Sequence, residues 1–272
     1  MNFPATEMMQ ARKSVRTFDG RPIRPEDRAA LEGFLSEIQN PFGVPVEFRL
    51  LDAKAHGLAS PVILGADTYL AAKVTKGKFF ELGFGYSFEA ACLFARSLGL
   101  GTVMLAATLN RAAFEKAMEL TENQVLPVAS PIGYPAARRS LRESMMRKGI
   151  KADTRLPFEA LFFDGAFDKG LTESAAGIYA RALELARWAP SAANKQPWRA
   201  VRAGDAVHFY EARSMKDSPL GDIQQVDVGI FLAHFDLALQ EAGIHGRFLE
   251  ADPGLPCPEN FRYLISYDRN PM

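Results

Sequence analysis

Three short stretches hold more charge and hydrogen-bonding capacity than local folding requires. "WAPSAANKQPWRAV" (188–201) sets Ser191, Asn194, Lys195 and Gln196, with two prolines, between two tryptophans. A chain leaving a helix needs only a stop signal, which Pro190 or the Asn194–Lys195 pair supplies. Ser191 and Gln196 are surplus to that task. They suit the edge of a polar ligand, or a helix cap with Trp198 as core anchor. "ARKSVRTF" (11–18) gathers Arg12, Lys13, Arg16 and the Ser14 hydroxyl within five residues. That set holds a phosphate by charge-assisted hydrogen bonds, or forms a solvated basic turn. "PIGYPAARRSLR" (131–142) joins Gly133, which permits close backbone approach, to Arg138, Arg139 and Arg142, a second wall for the same anion.

The elements that must position these groups alternate between helix and strand. Pro25, Glu26 and Asp27 suit a first helical turn, and Leu31, Phe34, Leu35 and Ile38 recur at helical spacing, predicting a helix over 25–39. "VPVEFRLLDA" alternates like a strand, "GYSFEAACLFARSLG" reads as a core helix, and "TVMLAA" as a short strand. "NRAAFEKAMEL" reads as a helix capped by Asn110, and "QVLPVASPIGYP" as a strand running into a turn. Residues 141–170 read as a basic, irregular connector with one short helix at "PFEALFF". A second cycle follows: the helix "ESAAGIYARALELARWA", two strands about a Gly-Asp turn in "WRAVRAGDAVHFYEA", the buried helix "DIQQVDVGIFLAHFDLALQEAG", and the strand "RYLISYD".

The two cycles are related. Gly85 and Gly99 in the first long helix match Gly229 and Gly243 in the second, and Leu93 matches Leu237, all at an offset of 144. A repeat this long implies two copies of one supersecondary unit about a pseudo-two-fold axis. Only one copy of the loop before the strand is polar: "NPFGVP" lacks the Ser-Asn-Gln character of "APSAANKQPW".

Lys plus Arg equals Asp plus Glu, 32 each, so no global field draws the chain to nucleic acid or an anionic membrane, and any anion site is local. No apolar run approaches the ~20 residues a membrane span needs. Cys92 and Cys257 are distant and outside any metal or redox motif, which fits a reducing, cytoplasmic compartment. The four histidines have no metal-ligand spacing, so no metal is expected, and no GxGxxG sits between a strand and a helix. Phe79, Phe80, Phe84, Tyr86 and Phe88 form a core edge or a wall above a ligand.

Taken together, "ARKSVRTF", "SLGLGTVMLAA", "PIGYPAARR" and "APSAANKQPW" resemble the successive signatures of the FMN-dependent nitroreductase superfamily over nearly the whole chain. In its common members the basic motif and the Ser-Asn loop lie close together near the N-terminus, and identical subunits intertwine. Here the two motifs are separated by more than 170 positions, which resembles the single-chain branch with fused halves. The resemblance implies an α+β, nitroreductase-like fold, two related half-folds forming an intramolecular pseudo-dimer. The halves would be 1–140 and 171–272, joined by the 141–170 connector into one compact unit.

By position, the resemblance implies that Arg12, Lys13, Ser14 and Arg16 contact the phosphate, ribityl chain and pyrimidine edge of FMN. Pro190, Ser191, Asn194 and Gln196 would contact it from the other half. Ala106 and Ala107, with Thr108, fall where the family sets backbone amides near flavin N5, and Gly133 with Arg138 or Arg139 would close on the phosphate. The resemblance further implies NADH or NADPH as donor and ping-pong reduction of a small-molecule acceptor, nitroaromatic, quinone or similar. No side-chain acid or base is expected, because the flavin carries the chemistry and Lys13 or Arg16 offsets its charge. One FMN per chain is expected, because the complementary site lacks both motifs, and a monomer then suffices. The alternative is a flavin-binding or sensor protein without turnover.

Overall fold

A computed structural model describes residues 3–270. The first half runs α1 (Ala5–Ala11), α2 (Pro25–Glu37), β1 (Val46–Asp52), α3 (Ala53–His56), β2 (Thr68–Thr75), α4 (Phe80–Ser97), β3 (Gly101–Thr102), α5 (Arg111–Ala117), β4 (Gln124–Val125) and β5 (Ala129–Gly133). The connector forms α6 (Leu141–Gly149), α7 (Phe158–Leu161) and β6 (Phe162–Asp164). The second half runs α8 (Ala180–Arg187), β7 (Trp198–Ala203), β8 (Ala206–Ala212), α9 (Ile223–Glu241), β9 (Arg247–Leu249) and β10 (Phe261–Asp268).

Each half builds one sheet on one long helix. The first sheet is ordered β1-β2-β5-β3, with β4 pairing the end of β2, and the second is ordered β6-β7-β8-β10-β9. Apart from β6, which adds parallel to the outer edge of β7, the second order repeats the first strand for strand. In both halves the long helix follows the second strand of the repeat.

These two helices, α4 and α9, are buried on nearly every face and pack on each other. Glycine makes their approach possible. A Cβ on Gly85 would lie 2.1 Å from the Val226 carbonyl oxygen, and one on Gly229 would lie 2.3 Å from that of Leu82. Gly85 maps to Gly229 and Leu82 to Val226 by the same 144-residue offset seen in the sequence. The crossing is therefore reciprocal, the signature of a two-fold relation, here inside one chain. The α+β, fused-half fold follows from this exchange and from the matching sheets.

Several elements differ from the sequence reading. The connector carries more than one short helix: α6 begins with Ser140 accepting from the Glu143 amide at 3.1 Å, an S-x-x-E start, and β6 joins the second sheet. Of "TVMLAA" only Thr102 lies in a strand, the end of β3, and "QVLPVASPIGYP" breaks into β4 and β5 around Pro127. Asn110 precedes α5 as expected but makes no cap bond. Its amide instead donates to Gly57 O at 2.7 Å and its oxygen accepts from Ala59 N at 2.9 Å.

Candidate functional site

The basic segment is laced to the edge of the first sheet in extended form. Val15 N donates to Thr102 O (3.0 Å), Leu64 N to Arg16 O (2.9 Å) and Phe18 N to Leu64 O (2.8 Å). Extended backbone alternates its side chains. Ser14 and Arg16 therefore face a chamber of 740 Å³ between the halves, while Val15 and Thr17 face a separate cleft of 530 Å³.

That alternation separates arginines that the sequence groups by charge. Arg138 and Arg139 line the cleft with Val15 and Thr17, on the opposite face of the strand from Arg16, and Arg139 lies 3.7 Å from Glu143. Gly133 is buried in β5, paired with Gly101. None of the three borders the chamber.

The other wall of the chamber comes from the second half. Pro190 and Ser191 line it, with Ala192 and Ala193, while Val226 and Ile230 of α9 give it an apolar floor. This loop is strained: Ala193, Asn194 and Gln196 all have positive φ (48°, 56°, 50°), each costing about 1 kcal/mol or more for a residue with a side chain. Three contacts hold it. Ser191 Oγ accepts from Gln196 N at 2.9 Å, Asp227 of α9 accepts from Ala192 N at 3.0 Å, and Asn194 Nδ2 donates to Lys151 O and Thr154 O at 2.9 and 3.1 Å.

Asn194 and Gln196 therefore bind the connector. Gln196 is buried, accepting from Leu156 N at 2.8 Å and donating to Asn194 O at 3.2 Å, which leaves its amide no reach into the chamber. Trp198 is buried and stacked on Phe231, and Trp188 stays half exposed. Asn194→Ala loses two hydrogen bonds and places a Cβ residue without amide compensation at positive φ. Unfolding free energy should fall by about 2 kcal/mol, with faster amide exchange at 151–155. Asn194→Gly, which tolerates the φ, should recover part of the stability and none of the exchange protection.

Two cations at the chamber lack full compensation. Arg16 is buried, and its Nε and Nη1 have no hydrogen-bond partner among the described residues. Burial lowers its pKa, against the opposing pull of Glu143. Arg12 Nε lies 3.2 Å from Glu89 Oε1, without hydrogen-bond alignment. The same oxygen lies 2.8 Å from His234 Nε2, and His234 Nδ1 lies 3.1 Å from the Leu185 carbonyl oxygen. Arg12 and His234 therefore share the buried Glu89 carboxyl.

Ala106 and Ala107 line the chamber. Arg111 holds Ala106 O at 2.9 Å and Leu126 O at 2.5 Å, fixing the segment with its amides free of acceptors among the described residues. Lys13 and Asn194 lie instead on an adjoining cleft of 520 Å³, which shares Arg12, Ser14, Pro190 and Ser191 with the chamber.

Sequence reasoning missed Asp227, although an acid inside the apolar run "QQVDVGIFL" was a visible signal. Its carboxyl lines the chamber, and burial raises its pKa well above the usual range, opposed by the Ala192 amide and reinforced by Asp222 and Glu211. A raised carboxyl pKa makes the folded state bind a proton that the unfolded state has released. Stability is therefore lost as pH rises from the unfolded value of about 3.9 toward the folded one, at about 1.4 kcal/mol per pH unit for one group. Asp227→Asn keeps an acceptor for Ala192 and removes the titration. The variant should match the parent near pH 4 and become the more stable of the two as pH rises in urea unfolding; parallel curves would show that Asp227 does not titrate in this window.

At the pseudo-equivalent position, Ile230 and Cys92 become Tyr86 and Asp236, hydrogen-bonded at 2.6 Å. The cleft there also measures 740 Å³, but its charged lining is Glu37 and Asp236, with no lysine or arginine among the described residues. Asp227 maps to Gly83, over which Val44 of the "NPFGVP" loop packs directly. Of the two related clefts, only the chamber has lysine and arginine in its lining among the described residues.

A family model described as "Putative TM nitroreductase" matches residues 5–239. Among solved structures, a "putative nitroreductase" from Thermotoga maritima MSB8 aligns over 100% of this chain and 96% of its own, with TM-score 0.66 and 18% identity, which establishes a shared fold. A putative NADH dehydrogenase/NAD(P)H nitroreductase from Bacteroides thetaiotaomicron covers 52% of this chain and 91% of its own (22% identity, TM-score 0.42). An FMN-dependent nitroreductase from Clostridium difficile R20291 covers 49% and 88% (13% identity, TM-score 0.42). No curated protein matches the chain. No helix among the described residues is long and apolar enough to cross a membrane.

Proposed function

Because the chain belongs to the nitroreductase family described as "Putative TM nitroreductase", we propose that it is an FMN-dependent NAD(P)H oxidoreductase acting on flat, electron-poor acceptors such as nitroaromatics and quinones, with one FMN per chain. The observation that carries this reading is the chamber between the halves, where buried Arg16 presents two guanidinium nitrogens without partners. A buried donor left unpaired costs about 1–3 kcal/mol, and an anionic, acceptor-rich ligand removes that cost.

The lining fits FMN in kind as well as charge. Val226 and Ile230 offer an apolar floor suited to a flat ring, Arg12 and Arg16 offer cations, Ser14 and Ser191 hydroxyls, and Ala106 and Ala107 free amides. FMN, when bound, supplies a two-electron carrier that takes a hydride equivalent from NADH or NADPH and passes electrons to the acceptor in turn. The residues bind, orient and set charge. Arg12, which shares the Glu89 carboxyl with His234, and Arg16 favour the more negative state of whatever occupies the chamber. Burial disfavours the charged form of Asp227, which lessens the repulsion that an ionised carboxylate in the chamber lining would exert on an anion.

Anaerobic addition of NADH or NADPH to the FMN-loaded protein tests turnover. The account expects loss of the oxidised flavin bands and their return on adding a nitroaromatic or a quinone. Bands that persist with both donors would leave a flavin-binding protein without turnover.

A further inference from the structure

Helix α6 of the connector is turned inside out. Its charged pair faces the protein: Glu143 and Arg147, one turn apart, are 2% and 7% exposed. Glu143 accepts from Thr17 Oγ1 at 2.9 Å and Arg147 donates to Asp153, and these bonds fix the rotation of the helix. Its apolar pair faces out. Leu141 and Met145, also one turn apart, are 86% and 74% exposed, and at about 100° per residue they fall on the opposite side from Glu143 and Arg147. The next most exposed large apolar side chain among the described residues, Leu64, is 50% exposed. A helix on the surface of a globular protein turns its apolar stripe to the core and its charges to water. The reversal in α6 leaves an apolar stripe that the fold itself does not use.

The charge around this stripe has one sign. Between residues 138 and 151 the exposed charged side chains are Arg138, Arg139, Arg142, Lys148 and Lys151, and the single acid in that span, Glu143, is buried. Lys148 continues the Leu141–Met145 stripe at helical spacing and Arg142 flanks it. Arg139 lies 3.7 Å from Glu143, and the other four have no carboxylate partner among the described residues.

We propose that the outer face of α6 docks on an anionic lipid surface, with Leu141 and Met145 entering between the headgroups and the cations around them meeting lipid phosphates. The chemistry selects this occupant. A second copy of the chain would set like charges against each other across the contact. A stable protein interface buries about 800 Å² on each side around an anchored centre, more than two side chains on a helix about 14 Å long supply. A lipid surface needs no matching shape. The chain carries no net charge, so the attraction is local to this face. On its inner side the same segment sets Met146 and Ile150 in the chamber lining, so docking brings the chamber to the lipid boundary.

The test sediments the full chain with vesicles of phosphatidylcholine alone and of phosphatidylcholine mixed with phosphatidylglycerol, at low and high salt. Two double variants accompany the parent, Leu141→Ser with Met145→Ser and Arg142→Gln with Lys148→Gln. All four side chains are exposed, so melting temperatures should stay at the parent value. The parent should bind the mixed vesicles at least about tenfold more tightly than phosphatidylcholine alone, and salt should weaken that binding. Removing the two apolar side chains should cost about tenfold or more in affinity for the mixed vesicles, and removing two cations about 30-fold. The proposal is overturned if the parent binds both compositions alike or neither, or if either double variant binds as the parent does. Sedimentation velocity without vesicles closes the remaining route: a dimer that the apolar double variant dissolves would give the face to a second copy and overturn the proposal, and a monomer supports it. No readout involves flavin, so the result stands apart from the flavin reading.

Discussion

Arg16→Met raises the melting temperature of the flavin-free protein while lowering its FMN affinity about 100-fold. The opposite signs come from one geometry. In the free chain the guanidinium is buried with Nε and Nη1 unpaired, beside Glu143 but desolvated. A flexible apolar side chain of similar length removes unpaired donors worth about 1 kcal/mol, or roughly 2–4 °C for a chain of this size. With ligand bound, those same donors supply charge-assisted hydrogen bonds, and losing them costs about 3 kcal/mol, the 100-fold change. Calorimetry of the stripped protein and a flavin fluorescence titration read the two effects. A variant that loses stability together with affinity would make Arg16 a structural residue.

Gly229→Ala is expected to destabilise the junction of the halves by about 3 kcal/mol or more. The added Cβ would lie 2.3 Å from the Leu82 carbonyl oxygen, and helix backbone cannot rotate aside as a side chain can. Overpacking a core commonly costs about 1–3 kcal/mol, and collision with backbone lies at or beyond the top of that range. The helices must separate, which shifts Val226 and Ile230 on the chamber floor, so FMN affinity should fall too. By the internal two-fold, Gly85→Ala meets the Val226 carbonyl oxygen at 2.1 Å and should cost as much. Gly33→Ala is the control of opposite sign. It lies within α2 with nothing within 4 Å of its new Cβ and should stabilise by about 0.5–1 kcal/mol. Denaturant unfolding of the three variants compares them directly; equal costs at all three would remove the close crossing as an explanation.

The repeat was legible because α4 and α9 carry their glycines for the same reason, mutual backbone approach, and that requirement left an offset of 144 in the chain. β2 left no such mark. Tyr69 and Ala71 pack on one face of its sheet and Leu70, Ala72 and Val74 on the other, so burial on both sides erased the alternation that identifies a strand. α6 was legible in principle from Ser140 and Glu143, but its basic composition hid the start signal.

The site divides in the same way. Ser14, Arg16 and Ser191 were identifiable as residue types without a local task, and they line the chamber. Asn194 and Gln196 looked equally surplus, yet their task is the connector 40 residues upstream, which no local pattern reveals. Arg138 and Arg139 were grouped with Arg16 by charge. Strand alternation then put them on the other face, a separation that depends on knowing the segment is extended.

The central claim is that each chain holds one composite flavin site with a wall from each half. The most direct test is an equilibrium titration of flavin-stripped protein with FMN, at protein concentrations well above the dissociation constant, following flavin fluorescence to its break point. The account predicts a break at one FMN per chain, because the related cleft offers Glu37 and Asp236 where this one offers Arg12 and Arg16. A break at two per chain would show that the pseudo-symmetric cleft also binds, and no break at all would contradict the flavin reading itself.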